Sequence, residues 1–383
     1  MPRAAVIVLD ACGVGALPDA ADYEGDEGAN TLGHLAERVG GLELPTLERL
    51  GLGSIIPILG VEPAADPVLH GRLAPLGPGK ESTTGHWELM GVVPEHALPT
   101  YPEGFPPDVI ADLEGATGRL YCCNRPYSGT EVIEDFGAHH LETGELILYT
   151  SADSVLQIAA HVDVLDEPAL YEVCETARKV MAGEHRVGRV IARPFGGEPG
   201  AFERREGRRD YAAPPPGRSY LEELQDAGQP VHGVGKIRDL FAGVGVDEKH
   251  DGGTNAKGIA ATTALLEGLD EGLIFVNLVD TDQVYGHRHD VGGFHRALQE
   301  IDAAAAGWLE LMRADDLLVL TADHGVDPDA PHTDHTREYA PLLARFEGHG
   351  GRRHDGPLAD VGASVLRWLT GRDAAELPGE PFV

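Results

Sequence analysis

The chain has 383 residues, 42% of them hydrophobic, which at about 100–200 residues per domain allows two or three domains, or one large α/β domain carrying an insertion. Lysine and arginine total 30 against 63 aspartates and glutamates, a net charge of −33. This balance argues against a nucleic-acid partner and against an anionic membrane surface, and any phosphate-binding arginine stands out from it. No run of about 18 apolar residues reads as a membrane span, and the apolar stretch before Asp10 is too short for a signal peptide. Cys12, Cys122, Cys123 and Cys174 show no C-x-x-C spacing. They form neither a disulfide framework nor a thiolate zinc site, and a reducing cytoplasm suits them.

In chain order, residues 4–9, 146–149, 189–192, 273–279 and 317–321 read as buried parallel strands, apolar without alternation. Helical spacing appears over 219–226, 294–312 and 359–369. The alternation predicts an α/β fold with a mostly parallel sheet flanked by helices. Residues 93–99 and the Pro-rich 212–217 interrupt the pattern, and the latter reads as a hinge. About 115 residues lie between them, the size of a small domain. The expected division is a discontinuous core, 1–96 and 214–383, with an inserted α/β cap over 97–213.

Three of the buried strands run into acids. The first ends at Asp10. Residues 274–279 lead into Asp280-Thr281-Asp282, with His287 beyond. Residues 317–322 lead into Asp323-His324. In open α/β sheets, ligands collect outside the carboxyl ends of the strands. Carboxylates crowded there repel unless protonated, paired or bridged by cations. Few basic residues stand near these motifs, so divalent metal is the economical answer. A ligand set of Asp and His without Cys suits Mn²⁺ or Zn²⁺, and its oxygen share favours Mn²⁺. Two such ions form the clamp used for in-line phosphoryl displacement. A further histidine follows in the segment 332–339.

Residues 77–91 read as a hydroxyl-rich loop leading into a short helix, where backbone N–H groups suit a phosphate. Chemistry alone leaves Ser82, Thr83 and Thr84 open as the nucleophile. Gly79-Lys80 is not a P-loop, because Ala74 stands five positions before Gly79 and no hydroxyl follows Lys80 directly. Gly13-Val14-Gly15 has Pro18 where a dinucleotide loop needs its third glycine.

The motifs Thr84-Gly85-His86-Trp87-Glu88, Tyr149-Thr150-Ser151-Ala152-Asp153-Ser154, Gly188-Arg189-Val190-Ile191-Ala192-Arg193-Pro194-Phe195, Tyr285-Gly286-His287-Arg288 and Thr333-Asp334-His335-Thr336-Arg337-Glu338-Tyr339 carry a resemblance over nearly the whole chain. They resemble the phosphopentomutases of the alkaline phosphatase superfamily. The resemblance implies an alkaline-phosphatase-like core, an inserted cap and two Mn²⁺ ions. One ion would be held by Asp282, His287 and His335. The other would be held by Asp10, Asp323 and His324, with the Thr84 oxygen completing its site. Thr84 would carry phosphate, loaded by a sugar bisphosphate such as glucose 1,6-bisphosphate. The implied activity is that of an isomerase, an intramolecular phosphotransferase exchanging α-D-ribose 1-phosphate with D-ribose 5-phosphate, and the 2-deoxyribose pair likewise.

The resemblance also implies substrate contacts from Ser151, Asp153, Arg189, Ile191, Arg204 and Lys236, with Arg189, Arg204 and Lys236 on the distal phosphate. The expected partners are small-molecule pentose phosphates. The oligomeric state stays open, and a monomer is compatible with the chain. The alternatives are a metal-dependent phosphatase, phosphodiesterase or phosphoglycerate-type mutase on the same core, or a non-catalytic acidic metal-binding protein. His86 is read as near the site. His34, His140, His161 and His232 are read as structural or surface residues, Cys12 and Trp87 as packing residues, and the acidic run 22–27 as a solvated face.

Overall fold

The computed structural model describes residues 2–151, 154–348 and 350–383. The chain divides into two compact units, Met1–Ala97 with Pro215–Val383, and Leu98–Pro214. Its strands are β1 (Arg3–Leu9), β2 (Leu69–Ala74), β3 (Tyr121–Pro126), β4 (Leu146–Thr150), β5 (Val155–His161), β6 (Arg189–Glu198), β7 (Ala201–Arg204), β8 (Arg209–Ala212), β9 (Val231–Val234), β10 (Glu248–His250), β11 (Gly272–Leu278), β12 (Leu317–Thr321), β13 (Ala340–Arg345) and β14 (Gly356–Pro357).

The first unit holds an eight-stranded sheet in the order β10-β9-β11-β1-β12-β13-β2-β14. From β10 to β12 every pairing is parallel. β13 then runs antiparallel to both β12 and β2. Every residue of β1, β11 and β12 is buried, as expected for central strands covered on both faces. β1 lies between β11 and β12, with Leu9 opposite Leu278 and Val8 opposite Thr321. The carboxyl ends of these three neighbours therefore open at one place on the sheet.

Local chemistry sets the helix boundaries. Ser219 caps the Tyr220–Asp226 helix in a reciprocal capping box with Glu222. The Val291–Leu311 helix begins earlier than its apolar spacing suggests, because the Asp290 carboxylate accepts the Gly293 N–H at its start. The closing helix spans Asp360–Thr370 and ends at Gly371 in the left-handed region. No described helix is long and apolar enough to cross a membrane.

The second unit is built on a sheet in the order β3-β4-β5-β6-β7, with β8 also paired to β6. The purely parallel reading of residues 146–149 and 189–192 is corrected here. β4 is parallel to β3 but antiparallel to β5, and β6 is parallel to β5 but antiparallel to β7 and β8. The link between β4 and β5 is too short for the crossover that a parallel pair requires. Alternate residues of β4 still enter two apolar clusters. Leu146 and Leu148 join Leu113, Leu170 and Val190, while Ile147 and Tyr149 join Val132, Ile133 and Phe195.

Candidate functional site

Each acid sits just past the end of its strand. Asp10 follows β1 directly, and Asp323 lies two residues beyond β12. Asp282 is carried by a π-type turn, Thr281–Tyr285, that follows β11, and His287 by the 3₁₀ turn Gly286–Arg288. The backbone turns sharply after Asp10. Ala11 has φ +66°, and its N–H donates to Asp323 Oδ1 at 3.3 Å. The Thr281 hydroxyl donates to the Asp10 carbonyl at 2.6 Å, and Asn277 Nδ2 donates to Asp10 Oδ2 at 2.9 Å.

The imidazoles converge on these carboxylates. Asp282 Oδ1 lies 3.2 Å from His287 Nε2 and 3.3 Å from His335 Nε2. His324 Nε2 lies 3.3 Å from both Asp10 Oδ1 and Asp323 Oδ2. Ligand atoms of Asp282, His287 and His335 fall within 4.8 Å of one another, and so do those of Asp10, Asp282 and His324. Asp282 thus borders both groups, while Asp323 faces His324 and His86. Asp10 Oδ1, Asp282 Oδ1 and Asp323 Oδ2 are buried with no hydrogen-bond partner. Buried carboxylate oxygens of this kind are costly unless a cation satisfies them, so the donor set fits divalent metal.

The charges are strongly coupled. Burial, followed by the Asp323 and Asp282 charges, raises the pKa of Asp10. Burial would also raise Asp282 and Asp323. The His335, His324 and His287 imidazoles outweigh it for Asp282, and His324 and His86 outweigh it for Asp323, so both are held below the usual carboxylate range. Burial would lower His324, but Asp323 and Asp10 raise it instead.

The hydroxyl-rich loop meets this cluster through the Ser82–Leu89 helix. Ser82 Oγ lies 3.0 Å from His324 Nε2. The Thr84 hydroxyl is buried and donates to the Glu81 carbonyl at 3.1 Å. A Cβ on Gly85 would stand 2.5 Å from the Asp323 carbonyl oxygen, and one on Gly79 would stand 2.2 Å from Thr84 Oγ1. Only glycine permits either approach. His86 Nδ1 lies 2.8 Å from the Ser82 carbonyl and 3.1 Å from Asp323 Oδ2, which seats the helix on the carboxylate.

A polar scaffold holds the loop from the other side. Tyr23 donates to the Pro78 carbonyl and Arg337 Nη1 to the Gly79 carbonyl, each at 2.8 Å. Asp26 accepts from Lys80 Nζ at 3.1 Å and faces His332 Nε2 at 3.0 Å. The solvated-face reading of residues 22–27 is therefore wrong at Asp26, which is fully buried by these partners. Glu88 accepts the Leu76 and Gly77 N–H groups, and burial raises its pKa to about 7. Sequence reasoning missed Asp26 and Lys80, and it gave no role to Glu88, which lies inside a recognised motif. Arg337 lies inside a recognised motif, but no spacing signal shows its reach to Gly79.

The other expected substrate positions are divided between the two units. Lys236 lies in the first unit, its Nζ 3.9 Å from Asp10 Oδ2. In the second unit Ser151 follows β4, and Ile191 is buried in β6. Arg189 pairs with Asp210 at 3.7 Å, whereas Arg204 Nε donates to the Gly129 carbonyl at 3.2 Å. Asp153 lies outside the described residues.

The model of the metalloenzyme superfamily matches residues 2–371. A phosphopentomutase of Caldanaerobacter subterraneus subsp. tengcongensis is 48% identical over 369 residues, covering 95% of this chain and 93% of that protein. One from Syntrophotalea carbinolica is 52% identical over 343 residues, covering 89% and 87%. One from Acetivibrio thermocellus is 46% identical over 387 residues, covering 100% and 99%. By full-length identity, and with the alkaline-phosphatase-like fold, the chain belongs to the phosphopentomutase family of the metalloenzyme superfamily.

Proposed function

We propose that this chain interconverts α-D-ribose 1-phosphate and D-ribose 5-phosphate, and the 2-deoxyribose pair, as an isomerase working through phosphorylated Thr84. The observation that carries the reading is the set of three buried carboxylate oxygens of Asp10, Asp282 and Asp323, faced by histidine ring nitrogens but accepting no hydrogen bond, beside the hydroxyl-bearing start of the Ser82–Leu89 helix. Asp282, His287 and His335 would hold one Mn²⁺, and Asp10, Asp323 and His324 the other, with Thr84 adjoining. When bound, such ions neutralise phosphoryl oxygens and favour ionisation of a neighbouring hydroxyl.

The chain's own groups do the rest. The bond between phosphorus and Thr84 Oγ1 breaks as the phosphoryl group moves to the free hydroxyl of the bound sugar phosphate, whose proton is balanced by the one that Thr84 Oγ1 takes up as it becomes a hydroxyl again. The resulting 1,5-bisphosphate turns, and its other phosphate returns to Thr84, releasing the isomer. The free helix N–H groups at residues 82–84 favour the anionic phosphate. Ser151, Asp153, Arg189, Ile191, Arg204 and Lys236 are the proposed substrate contacts, the cations among them matching a dianion in an otherwise acidic chain. Glucose 1,6-bisphosphate is the proposed loading donor. The four free cysteines fit a reducing, cytoplasmic setting.

Intact-mass analysis after incubation with glucose 1,6-bisphosphate tests the nucleophile. A gain of one phosphate, mapped to Thr84 and lost in Thr84→Ala, is expected. A label on Ser82 or Thr83 overturns the assignment. Product analysis from D-ribose 5-phosphate separates isomerisation from net phosphate release, which the phosphatase alternative requires.

A further inference from the structure

The free edge of the first unit's sheet carries another constellation of ligand atoms. β10 is the terminal strand and pairs in parallel with β9, placing Glu248 opposite His232 and His250 opposite Val234. The two-residue strand period puts Glu248 and His250 on one face, and the register brings His232 to them. His232 Nδ1 lies 3.1 Å from His250 Nε2 and 3.6 Å from Glu248 Oε2. His250 Nε2 lies 3.8 Å from the same carboxylate oxygen. All three ligand atoms fall within 4.8 Å of one another.

A tetrahedral ion about 2.0–2.2 Å from its nitrogen and oxygen ligands separates them by roughly 3.3–3.5 Å. The three observed spacings bracket that range, so sub-ångström side-chain adjustments would close the site. A hydrogen bond between the two imidazoles explains the shortest spacing but not the carboxylate beside it. His232 is almost wholly buried, which shields that side of the site from solvent. Glu248 and His250 keep a solvent-facing side for ion entry.

We propose that His232, Glu248 and His250 form a binding site for one Zn²⁺-class divalent cation, with a fourth position left to water. Two imidazoles and one carboxylate favour Zn²⁺, Ni²⁺ or Cu²⁺ over Mn²⁺, so the site differs in preference from the carboxylate-rich centre at Asp10, Asp282 and Asp323. Both imidazoles must turn a lone pair to the ion, so the proton of His232 sits on Nε2 and that of His250 on Nδ1. The bound ion clips the three-residue edge strand β10 to β9.

The full-length, Mn²⁺-loaded protein is dialysed against limiting ZnCl₂, desalted and counted for metal, with His250→Ala and Glu248→Gln treated identically. The wild type is expected to retain one more Zn²⁺ per chain than His250→Ala, and Glu248→Gln to release zinc at a lower chelator concentration. Zinc that enters the carboxylate-rich centre adds equally to all three and cancels in the difference. Co²⁺ in place of zinc should give a tetrahedral visible band that His250→Ala lacks. Equal zinc counts in wild type and His250→Ala, at equal Mn²⁺ content and equal thermal stability before zinc is added, overturn the proposal. If His250→Ala fails to fold, the same comparison is made with Glu248→Gln, whose side chain is exposed, and equal zinc retention there overturns it.

Discussion

Asp26 Oδ2 accepts the backbone N–H of Arg337 at 2.8 Å, inside the protein and out of reach of water. The contact joins the segment carrying His335 to the loop that precedes Thr84, because Arg337 also donates to the Gly79 carbonyl and Asp26 also holds Lys80. Substituting Asp26→Asn replaces an acceptor of charged donors by a neutral amide. The expected loss is about 1–3 kcal/mol of loop positioning. Expressed in the chemical step, that is roughly five- to 150-fold in kcat. Steady-state kinetics together with the metal content of the variant check this. A variant that keeps its metals and full kcat would show that the tie is merely structural.

The three carboxylates at the strand ends make the core dependent on bound cations. Asp10 is raised by burial and by its acidic neighbours, a sign of unrelieved repulsion. Chelation should therefore lower the thermal midpoint by roughly 3–10 °C, as linkage predicts for loss of a well-bound ligand. Thermal scans with and without chelator, followed by Mn²⁺ restoration, measure it. Asp282→Asn should shrink the chelator effect, because Asp282 borders both ligand groups. An unchanged midpoint on chelation would count against ion binding at these residues.

The convergence of Asp10, Asp282 and Asp323 was legible because buried parallel strands are uninterrupted apolar runs, and acids that end such runs emerge at one sheet end. Other features depend on partners that no local pattern names. β13 contains Pro341 and β2 mixes His70, Gly71 and Arg72 among its apolar residues, so neither reads as a core strand although together they extend the sheet. Asp26 looks solvated within its acidic run, and its burial comes from Lys80, His332 and Arg337, all distant in sequence. His232 reads as structural or surface on sequence alone, and its proximity to His250 arises only from the β9–β10 register.

Glu88 makes stability depend on pH in a direction opposite to most acids. Burial raises its folded pKa from 4.5 to about 7, against the pull of the Leu76 and Gly77 N–H groups. Between those values the folded state holds a proton that the unfolded state has lost. Its contribution is thus fully present below pH 4.5 and is lost as pH rises through about 7. At about 1.4 kcal/mol per pKa unit, the upper bound is about 3 kcal/mol. In Glu88→Gln, which mimics the protonated acid, stability relative to wild type should improve by up to that amount across this window. Urea unfolding of both proteins at several pH values tests it, and a pH-independent difference would contradict the assignment.

Arg3 anchors the opposite end of β1. Its guanidinium meets Asp316 through Nε and Nη2, and Nη1 donates to the Leu266 and Leu269 carbonyls at the end of the Asn255–Gly268 helix. Both side chains of the pair are 1% exposed. Burial alone would raise the Asp316 pKa, but Arg3 and the Arg313 N–H outweigh it and hold the carboxyl low. A depressed carboxylate contributes stability above its unfolded pKa and loses it as pH falls through the folded value. Arg3→Met leaves Asp316 buried and uncompensated and should cost about 3–5 kcal/mol, whereas Arg3→Met with Asp316→Leu should recover much of that. Thermal and urea unfolding of the single and double variants read the difference. The pair lies at the end of the sheet remote from Asp10, so folded Arg3→Met protein should still take up one phosphate on Thr84. If it does not, the effect of the pair reaches the strand ends through β1 itself.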